Sequence, residues 1–211
     1  MAIAFDAASS GTPGSGFGLS HTCTGTDRYL TVGVYLQGPS SVITSVTYAG
    51  VNMTQLGAVN ISATRILRLY GLANPASGAN DIVGTYTGSN LNPGIGGMSF
   101  TDVHQTTSTG TAATAGPTTS TTPSVVVTSA TGEMVVDVVG RSLDTAMTPG
   151  SGQTERYDQT VGNGGNGRVA GSHEAGAASV TMAWTITSDL WGIIGISLKP
   201  VATGQPITMV I

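Results

Sequence analysis

The stretch Val180-Thr181-Met182-Ala183-Trp184-Thr185-Ile186-Thr187 decides the fold class. Val180, Met182, Trp184 and Ile186 share one side of an extended chain, and threonine and alanine take the other. Alternation with period two is the pattern of a half-buried strand, not of a helix. Upstream, Glu133 to Val139 behaves the same way: Met134, Val136 and Val138 point one way, Val135, Asp137 and Val139 the other. Downstream, Leu190 to Leu198 is apolar on both faces and rich in isoleucine, which predicts a central strand covered from both sides.

The rest of the chain keeps this rhythm. Further strands are predicted at Ile3–Ala7, Gly18–Thr24, Tyr29–Gln37, Ile43–Tyr48, Val51–Val59, Thr64–Leu72, Asp81–Tyr86, Met98–Val103 and Val125–Ser129. Ala49-Gly50 between Tyr48 and Val51 reads as a two-residue hairpin turn. Asn74 to Asn80 and Thr148 to Gly152 read as loops, on their prolines and glycines. The 31 glycines, with only 3 phenylalanines and 2 tryptophans, suit short strands and tight turns. About a dozen strands in one chain of this length predict an all-β fold: a two-sheet antiparallel β-sandwich of jelly-roll type, one domain over residues 1–200. Two segments break the rhythm. Gln105 to Pro123 is uncharged and is expected to run extended over the body with a short edge strand. Gly162 to Gly167, all Gly and Asn, is expected to be the most flexible point.

Composition excludes several classes. Only 9% of residues are charged, the net charge is −4, and the 7 basic residues are scattered. No basic stripe exists for nucleic acid, so a nucleic-acid partner is not expected. No window approaches the ~18 apolar residues of a membrane span. Met1 to Asp6 has neither the basic nor the long apolar region of a secretory signal. A single cysteine, Cys23, permits no intrachain disulfide and reads as a small buried side chain.

The residues that carry chemistry do not gather into a catalytic pattern. His21, His104 and His173 show no zinc spacing, and no metal or cofactor is expected. His173-Glu174 reads as a solvated turn before the Val180 strand. Glu133 and Asp137 share a strand face but stand ~13 Å apart, beyond the ~5–9.5 Å that glycoside hydrolysis requires. Asn80-Asp81, Asp144, Asp158 and Asn163 offer oxygens for calcium without a ligand-spaced loop. No Gly-x-Ser-x-Gly elbow occurs. The chain is therefore read as a non-enzyme with no catalytic residue. Among aromatic residues Trp184 reads as core, whereas Tyr157, in the polar run Gln153 to Asp158, is the candidate for binding a glycan.

Beyond Pro200 the chain continues through residues 201–211, a C-terminal extension. Ile207, Met209, Val210 and Ile211 make its end apolar and strand-prone, the pattern of an arm that adds to a neighbour's sheet edge.

The hairpin Ile43-Thr44-Ser45-Val46-Thr47-Tyr48-Ala49-Gly50-Val51-Asn52-Met53-Thr54 and the run from Leu69 to Asp81 resemble elements of phage-associated β-sandwich proteins. The likeness extends loosely from Ile3 to Pro200 and carries no catalytic residue. The resemblance implies a virion structural protein, of capsid decoration (cement) or tail type. Such a protein would be made in the host cytoplasm, form homo-oligomers and contact the major capsid or tail protein. Two alternatives stand beside it: a glycan-binding module built around Tyr157, and a hydrolase with carboxylates on a sandwich face. A self-assembling filament subunit is a variant of the structural reading.

Overall fold

Strand patterning carries directly into tertiary structure. A computed structural model describes residues 2–11, 18–162 and 167–202, and among these there is no helix. The first half of the chain forms β1 (Ala4–Gly11), β2 (Gly18–Cys23), β3 (Tyr29–Gln37), β4 (Val42–Tyr48), β5 (Val51–Asn52), β6 (Thr54–Ser62), β7 (Arg65–Ala73), β8 (Gly78–Thr87) and β9 (Asn92–Thr101). The second half forms β10 (Ala113–Ser120), β11 (Ser124–Thr128), β12 (Met134–Arg141), β13 (Thr148–Pro149), β14 (Thr154–Thr160), β15 (Arg168–Ala175), β16 (Ser179–Thr185) and β17 (Asp189–Leu198). All pairings are antiparallel. Ala49 and Gly50 both have positive φ, 49° and 78°, and join paired Tyr48 and Val51 in the primed turn that suits a hairpin.

The all-β sandwich architecture is the one expected, but it is built from four sheets where the sequence suggested two. In the first half β1-β9-β3-β7-β6 faces β2-β8-β4-β5; in the second, β10-β17-β12-β15-β14 faces β11-β16-β13. The two five-stranded sheets also face each other, so the order of layers is four, five, five and three strands. Three apolar cores fill the gaps. Leu30, Val32, Tyr48 and Ile82 lie between the first two layers. Tyr35, Leu67, Phe100, Val138 and Ile194 lie in the middle, and Val127, Val135, Met182 and Trp184 between the last two. Strands β3 and β17 are buried on both faces because each has a core on either side.

The halves repeat each other. Pairing β1, β2, β3, β4, β6, β7, β8 and β9 with β10 to β17 in order converts one set of sheet orders into the other, and only β5 lacks a counterpart. Ile82 to Phe100 aligns without a gap on Val180 to Leu198, an offset of 180 − 82 = 98 residues. Thr87/Thr185, Gly94/Gly192, Ile95/Ile193, Gly97/Gly195 and Ser99/Ser197 are identical. In space β1 lies over β14 and β6 over β10, so each edge meets the other half's opposite edge. That is the arrangement of a two-fold dimer, made within one chain.

The middle core shows how the halves fit. Across the first half Gly57, Leu69, Gly33 and Gly96 form one rung; their counterparts are Tyr157, Gly171, Val138 and Ile194. Large residues meet glycines across the gap. A Cβ on Gly33 would stand 2.5 Å from Val138 Cγ2, and one on Gly57 would stand 2.5 Å from Ile194 Cγ2. A Cβ on Gly140 would stand 2.5 Å from Tyr35 Cδ2. Gly33 with Val138, and Tyr35 with Gly140, are pairs of equivalent positions in contact, so the pseudo-two-fold axis passes between β3 and β12. These glycines are required for close approach of the sheets, not for unusual backbone angles.

Several sequence expectations change in detail. The Gln105–Pro123 segment supplies β10, a full edge strand. The polar run around Tyr157 is β14, and His173-Glu174 belongs to β15 rather than to a turn. Within the stretch Gly162 to Gly167, only Gly162 and Gly167 fall among the described residues.

Candidate functional site

Three polar clusters concentrate the chemistry of the described residues. The first joins β1, β2 and β9. Asp6 accepts bonds from Thr24 N at 2.8 Å, from Thr24 Oγ1 and from Ser99 Oγ at 2.8 Å. Burial works to raise the Asp6 carboxyl, but the hydrogen bonds from Thr24 and Ser99 outweigh it and hold it below the usual range. His21 is 2% exposed, and its Nδ1 lies 2.8 Å from Ser9 Oγ, while its Nε2 is buried without a partner. Burial pushes His21 down to about 4, so the imidazole is neutral at pH 7. Cys23 is fully buried and burial raises its thiol. A neutral imidazole beside a protonated thiol is packing material rather than an activated nucleophile.

The second cluster surrounds Asp137 on β12. Its carboxylate takes Ser172 N at 2.9 Å, Ser172 Oγ at 2.7 Å and Trp184 Nε1 at 2.6 Å. Gln153 extends the network by donating to Ser172 Oγ at 2.7 Å and accepting from Ala183 N at 2.6 Å. Burial lifts Asp137 to about 6 against the pull of these donors. Glu133 instead accepts from Ala130 N at the start of its strand, so the two carboxylates do not converge. The Asp137 network ties the third and fourth layers together.

The third lies along β14 and β15. Arg168 bridges Asp158 and Asp144, at 2.5 and 2.9 Å, and Met147 N donates to Asp158 at 3.0 Å. Two of the residues singled out as calcium donors, Asp144 and Asp158, thus close on a guanidinium, and Asn163 lies outside the described residues. Arg156 donates to His173 Nδ1 at 3.1 Å and covers the Phe5 ring at 3.5 Å, while Phe5 stacks on His173. Phe5 belongs to β1, so this contact joins the halves. Burial, then the Arg156 charge, lowers His173 to about 4. Nearby, fully buried Arg141 pairs with Asp189 at 3.0 Å and donates to Thr145 and Thr187.

Tyr157 does not stand on the surface. It is 5% exposed, its ring wedged among Gly33, Gly96 and Gly171. The polar residues around it in sequence point outward from an edge strand, and Tyr157 alternates with them into the core. Tyr48, Tyr70, Trp184 and Trp191 are buried too, and Tyr86 is half-buried. An exposed aromatic platform of the kind expected for a glycan is therefore not formed by these residues. Ile207, Met209, Val210 and Ile211 lie outside the described residues.

The surface offers more than the interior. A groove of about 490 Å³ runs beside β11, lined by Gly110, Ala112, Ala113, Val126, Ser129 and Ser197, with Glu133 and Lys199 also along it. Val126 is 59% exposed there. Nothing in the sequence marked this groove, because its lining is small residues that only the fold brings together. Among the described residues no three His, Cys, Asp or Glu side chains are grouped to hold a metal ion. Comparison with family models, curated proteins and solved structures finds no match for the chain.

Proposed function

We propose that this chain is a non-enzymatic structural protein of a bacteriophage virion, a capsid decoration or tail-associated subunit that packs on copies of itself and on other virion proteins. The observation that supports this reading is the outer face of β11-β16-β13. Ser124, Val126, Thr128, Ser179, Thr181 and Thr185 stand on it without a charged side chain among them. A protein that stays apart from its neighbours protects such faces and edges with charge; a subunit covered in an assembly has no need to. The strand order β1-β9-β3-β7 opposite β2-β8-β4-β5 further supports a jelly-roll reading of each half, a topology that recurs in viral capsid proteins.

The test is the mass of the full chain by light scattering after size exclusion, together with mass spectrometry of purified particles from cells that carry the gene. A trimer or larger species, and peptides of this chain in the particles, are the expected results. A monomer at every concentration, with no peptide in any particle, overturns the proposal.

A further inference from the structure

The internal repeat supplies a template for the groove. Ser9 pairs with Gly97 and Ala113 with Gly195, so Ser9 and Ala113 are equivalent. His21 pairs with Asn80, and Ser129 N bonds the carbonyl of Ala178, 178 − 80 = 98 residues on, so His21 and Ser129 are equivalent. Ser99 and Ser197 correspond as well. In the first half the notch between edge strands β1 and β2 is plugged by the His21 ring on Ser9. In the second half the same three positions, now Ala113, Ser129 and Ser197, line the groove. One half carries its own filling, and the other is open.

We propose that the groove receives an extended strand, Pro206-Ile207-Thr208-Met209-Val210-Ile211 of a neighbouring copy. This rests on the assembly reading above. Among the described residues β11 pairs with β16 on one side only, so its other edge offers main-chain groups to an added strand. The segment has no charged side chain and is strand-prone, with Ile207, Met209, Val210 and Ile211 apolar around Thr208. A lining of glycine and alanine leaves room for isoleucine and methionine side chains. The nine residues after Ala202 reach about 30 Å when extended. Each chain's own segment leaves the groove lining at Lys199 and is then held toward the residues after β9: Val201 N is tied to the carbonyl of Asp102 at 2.9 Å, and Pro200 bridges to Val103. Those partners follow β9, on the other side of the third layer from β11.

The full chain carrying Val126→Cys and Met209→Cys tests this under mild oxidation with diamide. Cys23 is fully buried and stays out of the reaction. A ladder of disulfide-linked oligomers on a non-reducing gel, absent from either single variant, is expected. Adding Ser129→His, which restores the plug of the first half, is expected to abolish it. A bridge within one chain, or no bridge at all, overturns the proposal, as does a ladder unaffected by Ser129→His. Light scattering on the unoxidised samples separates the two readings: an oligomer without the bridge removes only the groove, and a monomer removes assembly as well.

Discussion

Gly96→Ala tests the fit between the halves most sharply. An added Cβ would stand 2.5 Å from Tyr157 Cε1 and closer still to Cε2 and Cζ. Carbon atoms at rest keep ~3.5–4.0 Å, so the ring must retreat by about 1 Å. It has nowhere to go, because a Cβ on Gly33 would already stand 2.6 Å from the Tyr157 hydroxyl and one on Gly171 2.5 Å from Cζ. Overpacking costs ~1–3 kcal/mol, and a ring held on three sides belongs at about 3. Tyr157→Leu alone opens a void and costs ~2–4 kcal/mol by analogy with large-to-small core changes. In the double variant the new methyl occupies space that the ring has vacated, so the cost falls short of the sum by about 2 kcal/mol. Urea denaturation gives all four stabilities, with Gly18→Ala as a control of near-zero effect, since a Cβ there meets nothing within 4 Å. Additivity within ~0.5 kcal/mol, or a Gly96→Ala cost below that, refutes the reasoning.

Other outcomes follow from the buried polar groups. Arg141→Ala removes the partner of Asp189 and strands the carbonyls of Thr145 and Thr187; a loss of ~3–5 kcal/mol in urea melts is expected, and under 1 shows the pair to be dispensable. His21 and His173 have folded values near 4, below the unfolded value near 6.5, so the unfolded chain binds more protons between those pH values and stability falls as pH drops from 6.5 to 4. Asp137, raised from 3.8 to about 6, opposes them: its protonation adds stability as pH falls through that window. Taken by themselves, two histidines against one aspartate give a slope of about 1.4 kcal/mol per pH unit. Glu155 and Glu174, both raised by burial, reduce it, and Asp6, lowered, increases it. His21→Gln is expected to flatten the slope by about 1.4 kcal/mol per pH unit. Denaturant midpoints that do not move between pH 6.5 and 4 contradict this balance. Gly50→Ala, at φ 78° in the Tyr48–Val51 hairpin, is expected to cost ~1 kcal/mol in the same assay.

Strands with an apolar partner on every second residue were legible from sequence: Val180, Met182, Trp184 and Ile186 all turn into the third core, and Leu190–Leu198 is the central strand it promised to be. β15 was not, because Gly171 lies where the Tyr157 ring supplies the volume, and a strand packed with another residue's bulk has no hydrophobic alternation of its own. Tyr157 misled for the complementary reason, since the single inward residue of a polar edge strand looks exposed among its neighbours. The repeat was readable in principle from the identities at Gly94/Gly192, Ile95/Ile193 and Gly97/Gly195. Reading each strand for its own two faces does not reveal it, and so two sheets were expected where four form. The plugged and open notches were beyond reach, being differences between positions that only the register makes equivalent.

The glycine opposite Tyr35 carries a consequence for how such a molecule arises. Where two identical chains meet on a symmetry axis, the residue there faces itself, and selection can offer only one side chain to both partners. Joining the copies end to end lifts that restriction, so one copy keeps the protrusion and the other keeps the recess. Tyr35 against Gly140, Tyr157 on Gly96 and Ile194 on Gly57 are protrusion-and-recess pairs of this kind. Two first halves would now meet Tyr35 to Tyr35, and two second halves would leave a gap between Gly140 and Gly140. Each half is thus shaped for the other and not for a second copy of itself.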